Sequence, residues 1–392
     1  MKTRKVLFVV PYFPPHKGGM ELFALNIAEQ LSRNHTWQVV VVTTGEERAI
    51  EVEKADSGLV VYRLPYWRKI SNSPVALSWL WHLRRIIQTE KPDLINIHTP
   101  VPGLGDIASM MAGSCPVVVN YHMGTMRKDK SRLNFLIEIY ERVLVKPMLR
   151  RAKEIISSSD YVRDGFLINF RYKTQTITPA VDSDFFYPAE VAVSIPHIIF
   201  VGSLNRSDEH KNLRSLLTAC QELRAVVPDL RLTVVGDGDG RRMYEDIAVS
   251  MGLRDLAKFT GWLERDALAE AYRAASVFVL PSTNDSFPLV ITEAMATGLP
   301  IVSTLAGGIP TLVDDEVDGL LVAPADDDAL VKVLKRVLTD KALASRLGTA
   351  GRNKAVHSLN WSSRADMTNT LFSDVLGSCI QPRRDRSSVR RA

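Results

Sequence analysis

The stretch "TNDSFPLVITEAMATGLPIVSTLAGG", residues 283–308, sets a loop, a helix, a strand and a paired glycine in direct succession. Two carboxylates, Asp285 and Glu293, stand eight positions apart around the helix start. Pro288 fits the first helical position, so "LVITEAMA" reads as the opening turns of a helix with Glu293 inside it. Asp285 falls in the loop after the strand "VFVLPS". Acidic residues near helix starts commonly act only as partners of the helix dipole. Two carboxylates near one strand end can instead accept hydrogen bonds from the vicinal hydroxyls of a sugar or a ribose. Gly307 and Gly308 then close the next strand with a backbone that a ligand can approach closely.

The same alternation extends outward in both directions. Short apolar, β-branched runs recur with helical stretches between them: "KVLFVV", "WQVVVVTT", "LINIH" and "PVVVNYH" in the first half, "HIIFVG", "LRLTVVG", "SVFVLP" and "LPIVST" in the second. Near-continuous apolar strands alternating with amphipathic helices imply an α/β fold whose parallel sheets are covered on both faces. At 392 residues the chain is too long for one ordinary core. Each half reads as a separate doubly wound unit. The expected division is 1–180, a linker at 181–196, and 197–360. A last helix at 361–378 offers Trp361, Met367, Leu371 and Leu376 for burial, and a basic tail follows at 379–392.

Composition narrows the class. The chain is 46% hydrophobic and 24% charged, as in a soluble globular protein, and its three cysteines have no metal-ligand spacing. A reducing, cytoplasmic setting is expected. The apolar run at the N-terminus lasts about five residues before a tyrosine and prolines, which reads as a buried first strand and not as a signal peptide. No segment approaches the length of a membrane span. The net charge of +5 is unevenly placed: Arg127, Lys128, Lys130 and Arg132 cluster, as do Arg150, Arg151 and Lys153, and five arginines fall in the last ten residues.

Three further strand ends carry unusual chemistry. In "PYFPPHKGGMELFALNIAEQL", Gly18 and Gly19 precede a helix whose free N–H groups would face an anion. It is not a GxGxxG, and the second strand ends in threonines where a dinucleotide site would place an acidic residue. In "VVVNYHMGT", His122 ends a strand, and His98 in "INIHTP" has a similar claim. In "FVGSLNRSDEHKNLRSLL", Arg206 and Lys211 precede a helix, where two cations suit a departing diphosphate, or simply form a solvated charged loop. The acidic runs "GDGDG" and "ADDDA" read better as a turn and a helix start than as a metal site, and no protein-bound metal or other cofactor is expected.

With these sites in hand, the chain resembles the GT-B glycosyltransferases, specifically the retaining glycosyl transferases group 1, or family four. The resemblance runs nearly end to end, through "PYFPPHKGGME", "INIHTP", "VVVNYH", "ITPAVDSDFFYP", "FVGSLNRSDEHKNL", "LTVVGDGDG", "KFTGWLERDALAEAYRAASVFVLPS" and above all "SFPLVITEAMATGLPIVSTLAGGIPTLVDDEVDGLLV". It implies two Rossmann-like domains facing a central cleft, with the nucleotide-diphosphate sugar held mainly by the C-terminal one and the acceptor mainly by the N-terminal one. It implies metal-independent catalysis and a terminal helix that crosses back to the N-terminal domain. It assigns the nucleotide's ribose to Glu293, the transferred sugar to Asp285, the diphosphate to Lys211 with Arg206, and a donor-facing role to His122. Gly18, Gly19, Gly202, Gly307 and Gly308 match its donor-site loops.

This chain departs from that pattern at three positions. Ser203 stands where many members have arginine, Thr311 where a glutamate is frequent, and Asp285 where the first motif glutamate is expected. Asp285 is shorter by one C–C bond, about 1.5 Å. The leading expectation is a hexosyl transfer to a glycan or lipid-linked acceptor in polysaccharide biosynthesis. Its alternatives are a sugar-nucleotide epimerase or another GT-B enzyme, and a non-catalytic sugar-nucleotide-binding protein. Nucleic acid is not an expected partner, because the basic clusters lack interleaved aromatics. The clusters, with "YWRK" and "SWLWHLRR", read either as a solvated face or as a peripheral contact with an anionic membrane at its inner face.

Overall fold

A computed structural model describes residues 4–16, 18–35, 37–55, 57–70, 73–124, 126, 134–190, 195–227 and 229–380. The expected basic cluster from Arg127 to Arg132 and the arginines after 380 lie outside them. The chain divides into two compact units. The first runs up to Thr178 and takes in the residues from Trp361 on; the second is Pro179–Asn360.

The first unit carries β1 (Arg4–Val9), β2 (Trp37–Gly45), β3 (Glu51–Lys54), β4 (Val60–Pro65), the small antiparallel pair β5 (Arg68–Ile70) and β6 (Ser73–Val75), then β7 (Leu94–Thr99), β8 (Val117–Tyr121), β9 (Glu154–Ser157) and β10 (Thr174–Thr176). Its main sheet has the order β10-β9-β8-β7-β1-β2-β4-β3, parallel except where β3 meets β4. Val39, Val40, Val41 and Val42 in β2 are all fully buried, so both faces of this strand are covered. Burying one such side chain is worth about 1.5–3 kcal/mol, which leaves the valine run no alternative to the interior. The second unit carries β11 (His197–Val201), β12 (Arg231–Val235), β13 (Ala257–Gly261), β14 (Val277–Leu280), β15 (Ile301–Thr304) and β16 (Gly319–Val322), all parallel, in the order β13-β12-β11-β14-β15-β16.

Both orders are doubly wound. The chain leaves β1 in one direction and returns to place β7 on its other side; it does the same with β11 and β14. The crevice at the carboxyl ends of such a strand pair is where open α/β sheets bind ligands.

The structure shifts several expected boundaries. The stretch expected as a linker is in part core: Val181 donates its amide to Leu359, and Val181 and Phe186 are buried in the second unit. Apolar side chains outweighed the two prolines there, Pro188 and Pro196. The last helix runs Trp361–Ile380, two residues beyond the expected end. Phe372 and Val375 are buried on it, while Met367 and Leu376 are only half-buried. Phe372 meets Phe8 and Trp37 edge-on at 6.4 and 5.7 Å, and Trp37 Nε1 donates to Asn369 Oδ1 at 2.8 Å, so this helix is built into the first unit.

Candidate active site

The opening stretch folds around a helix at Leu289–Ala296, one residue later than Pro288 suggests; Pro288 itself is extended and caps it. The helix ends in a Schellman motif. Leu299 N–H donates to Ala294 O at 3.0 Å and Gly298 N–H to Met295 O at 2.9 Å, with Gly298 at φ +76°. Ile291, Thr292, Ala294, Met295 and Ala296 are buried. Glu293 is therefore the one charge in an otherwise apolar helix. Its side chain keeps part of its surface accessible, yet the packing around it raises the carboxyl to about 7; the Tyr272 hydroxyl and, at longer range, Arg265 pull the other way. Tyr272 donates to Glu293 Oε2 at 2.9 Å.

Asp285 lies in the loop between β14 and this helix and is held by the next strand end. Gly308 N–H donates to Asp285 O at 2.7 Å. Gly307 sits at φ +57°, and a Cβ there would collide with the same carbonyl oxygen. The paired glycine thus packs against the Asp285 backbone. Across the crevice from β14, the segment Arg206–Lys211 forms a short 3-10 turn kinked at Asp208. Lys211 Nζ reaches Asp285 Oδ2 at 3.4 Å, an ion pair with 19% and 15% of the two side chains exposed. Gly202, at the end of β11, makes room for it: a Cβ at Gly202 would stand 2.9 Å from Lys211 Cδ. Thr283 N–H donates to His210 O at 2.7 Å and ties the two loops together.

Arg206 is placed differently from Lys211. It is exposed, its amide donates to Asp239 Oδ1 at 2.7 Å, and its side chain lines a groove with Arg214, Arg242, Asp239 and Asp246 against the helix Arg241–Ser250. Ser203 donates to Asp208 Oδ2 at 2.6 Å, and Thr311 Oγ1 donates to Gly308 O at 2.7 Å; both stabilise their own loops. Asp237 pairs with Arg241, and Asp326 caps the helix Asp327–Thr339. Among the described residues no cluster of three His, Cys, Asp or Glu side chains is placed to hold a metal ion.

In the first unit, Gly18 and Gly19 start the helix Gly19–Asn34, and a Cβ at Gly18 would collide with the Glu21 carboxylate. Glu21 is buried in the first turn of this helix and pairs with His16 Nδ1 at 2.9 Å. The positive end of the helix dipole thus already has a carboxylate beside it. Phe23, from the same helix, meets the His122 ring edge-on at 5.3 Å. His98 and His122, rivals on the sequence, are partners: His98 Nδ1 lies 2.9 Å from His122 Nε2. Burial pushes both below the ordinary histidine range, His122 to about 3, so the pair is neutral.

Two residues at these sites had no role assigned from sequence. Tyr272 sits 21 positions before Glu293, and only its period on the helix Arg265–Arg273 marks it, as a core residue. Glu21 reads as an ordinary acidic first-turn residue; its burial under the helix start is visible only in three dimensions.

Residues 195–354 match the family Glycosyl transferases group 1, and residues 17–185 match Glycosyltransferase Family 4. A D-inositol 3-phosphate glycosyltransferase from Thermobifida fusca is 34% identical over 92% of this chain and 90% of its own. Among solved structures, a sucrose-phosphate synthase from Thermosynechococcus elongatus superposes with a TM-score of 0.77 at 21% identity, covering 96% of this chain and 100% of its own. Anabaena Alr3699/HepE, solved in complex with UDP-glucose, superposes with a TM-score of 0.74 at 20% identity, covering 94% and 99%. Two units wound in the same Rossmann-like order, matched over nearly their whole length at both levels, place the chain among the GT-B glycosyltransferases of group 1.

Proposed function

We propose that the protein is a retaining glycosyltransferase that moves a hexosyl group from a nucleotide-diphosphate sugar to a hydroxyl of a glycan or lipid-linked acceptor without a metal ion. The observation that carries this reading is the Lys211–Asp285 pair at the β11/β14 crevice, with Glu293 on the helix that follows. A nucleotide-diphosphate sugar presents in succession a ribose diol, a diphosphate and a sugar. Glu293 suits the diol, Lys211 the diphosphate and Asp285 the sugar hydroxyls. The UDP-glucose held by Alr3699/HepE supports the same donor class.

In this mechanism the bond from the anomeric carbon to the diphosphate oxygen breaks as the acceptor oxygen bonds the same face. The departing diphosphate takes the acceptor proton. Lys211 stabilises the charge that develops on it; such preorganised electrostatics is usually the largest single contribution to catalysis. His122, neutral and tied to His98, offers a hydrogen bond to the donor sugar and not a charge. Arg206, in its groove with Arg214 and Arg242, is a weaker partner for the diphosphate than Lys211. Gly18 and Gly19 act as a close-approach loop near donor and acceptor.

A lipid-linked acceptor is supported by exposed aromatic and basic side chains of the first unit: Trp67 and Trp81 are 68% and 61% exposed, and Arg85 lies over the Trp81 ring at 5.6 Å. Among the described residues no helix is long and apolar enough to cross a membrane, so the contact proposed is peripheral.

The test is a donor screen with UDP-, GDP- and ADP-sugars, following nucleotide release with and without EDTA. Release with one donor class, unaffected by EDTA, is expected. Absence of both binding and release for every donor overturns the enzyme reading, and loss of activity in EDTA overturns the metal-free mechanism.

A further inference from the structure

We infer that Tyr272 is a positioning residue for nucleotide binding: its hydroxyl fixes the Glu293 carboxylate so that one oxygen is held by the protein and the other is left for the ligand. This rests on the role given to Glu293 above.

The geometry is specific. Tyr272 is fully buried on the helix Arg265–Arg273, wedged between Phe186 at 5.9 Å and Phe278 at 6.1 Å. A ring clamped in this way has one orientation, so its hydroxyl has one place to reach. It reaches Glu293 Oε2 at 2.9 Å and, as a second acceptor, Val290 O at 3.3 Å. Val290 is three residues before Glu293 on the same helix, so a single hydroxyl fixes both the carboxylate and the turn beneath it. A buried tyrosine needs a partner for its O–H, but a backbone carbonyl alone would satisfy that need. Placing the only charge of an apolar helix on it adds something packing does not require.

Among the described residues no cation is in ion-pair contact with the carboxylate to offset its burial. Arg265, on the Tyr272 helix, acts only at a distance and is engaged by Asp182 Oδ2 at 2.6 Å. Arg352, from the helix Lys341–Ser358, is spent on the carbonyls of Ser183, Phe186 and Ala296. Lys211, from the loop before the neighbouring sheet helix, is paired with Asp285. The tyrosine hydroxyl is therefore the hydrogen bond that favours the ionised form of Glu293, against the burial that raises it to about 7. A ribose diol donates hydrogen bonds, so the form it binds is the ionised one. Tyr272 keeps that form populated near neutrality and aimed.

The experiment compares Tyr272→Phe, Glu293→Gln and the double variant in the full chain. Affinity for UDP, GDP and ADP is measured from pH 5.5 to 9. In the free protein, the Glu293 carboxyl is titrated by carbon NMR. Tyr272→Phe keeps the ring and its packing, so thermal unfolding should stay near wild type. Nucleotide affinity at pH 7 should fall roughly tenfold, the order of one hydrogen bond to a charged group. The loss should shrink as pH rises, the Glu293 titration should move to higher pH, and the phenyl change should add nothing in the Glu293→Gln background. An unmoved titration, or an equal loss with and without Glu293, overturns the role given to Tyr272. If Glu293→Gln alone leaves every nucleotide's affinity unchanged while the titration still moves in Tyr272→Phe, the ribose role of Glu293 is what fails. Tyr272 then holds the carboxylate for some purpose other than nucleotide binding.

Discussion

The two units share one winding order, yet their strand ends are chemically opposite. At the β11/β14 crevice the second unit sets charge against charge, Lys211 on Asp285, with a half-buried carboxylate on the following helix. The corresponding end of the first unit, around β7 and β8, holds two neutral imidazoles bonded to each other, with a phenylalanine packed over them. At its helix start, the His16 ring and the Glu21 carboxylate lie 2.9 Å apart, internal to their own loop. The same sheet topology therefore places an ion pair at one unit's strand ends and a pair of neutral imidazoles at the other's. The winding places a site; the residues at the strand ends decide what it does.

The sharpest way to break this contrast is to remove the charge. Lys211→Ala should lower turnover by about 10²–10³, the scale of losing one electrostatic group at a developing charge. It should do so with little change in folding, since the lysine's partner Asp285 remains partly solvated. Initial rates with the donor found in the screen check it. A loss under tenfold would mean that the charge of the second unit is not used in the reaction.

The pH dependence of stability tests the same contrast with opposite signs. The Glu293 carboxyl is raised in the folded protein, so the fold binds its proton more tightly than the unfolded chain. Its contribution is most favourable below about pH 4.5 and is lost as pH rises towards about 7. Glu293→Gln should therefore stabilise the protein above pH 7, on the order of 1–3 kcal/mol. His122 is lowered to about 3, so its contribution is fully present above the ordinary histidine value of 6.5 and falls away as pH drops towards 3. His122→Asn should remove part of the acid sensitivity and leave neutral stability of the first unit less affected. Thermal melts from pH 4 to 9 read both, and one common direction for the two variants would erase the distinction.

Gly307→Ala probes the backbone side of the charged site. At φ +57° an alanine is strained, and its methyl would push the Asp285 carbonyl away. A destabilisation of about 1–3 kcal/mol is expected, with a fall in turnover larger than the change in donor affinity. If affinity and turnover fall together, the glycine contacts the donor directly and does not merely hold Asp285.

Much of this was legible in the chain itself. Runs such as the four buried valines of β2 have only one place to go, so the parallel sheets could be read directly; β3, with all four residues exposed, left no apolar signal to find. The helix around Glu293 was legible because its flanking proline and glycine act locally through φ. What local rules do not carry is pairing across the fold. His98 and His122 look like competitors at a separation of 24 residues, and Lys211 and Asp285 stand 74 apart. Arg206 and Lys211, five positions apart, looked like one cationic unit, but the kink at Asp208 leaves Arg206 in a different groove. The expected linker failed for a related reason: prolines mark breaks in local structure, whereas the burial of Val181 and Phe186 is decided by what the second unit offers them.

The smallest expected effect is at Asp285 itself, and it bears on how the charged site is tuned. An aspartate here is about 1.5 Å shorter than a glutamate, and its Oδ2 stands 3.4 Å from Lys211 Nζ. Asp285→Glu should let the carboxylate close on the lysine or reach further towards the sugar. The first outcome compensates the lysine's charge and lowers turnover with every donor alike; the second changes the ratio of kcat/KM between donor sugars by a few-fold, the scale of one repositioned hydrogen bond. Competition between two sugars on the same nucleotide separates them, because a uniform loss cancels in the ratio and a change of sugar contact does not. An unchanged ratio and an unchanged rate together would place Asp285 out of reach of the sugar, with the ion pair serving only to hold Lys211 in the crevice.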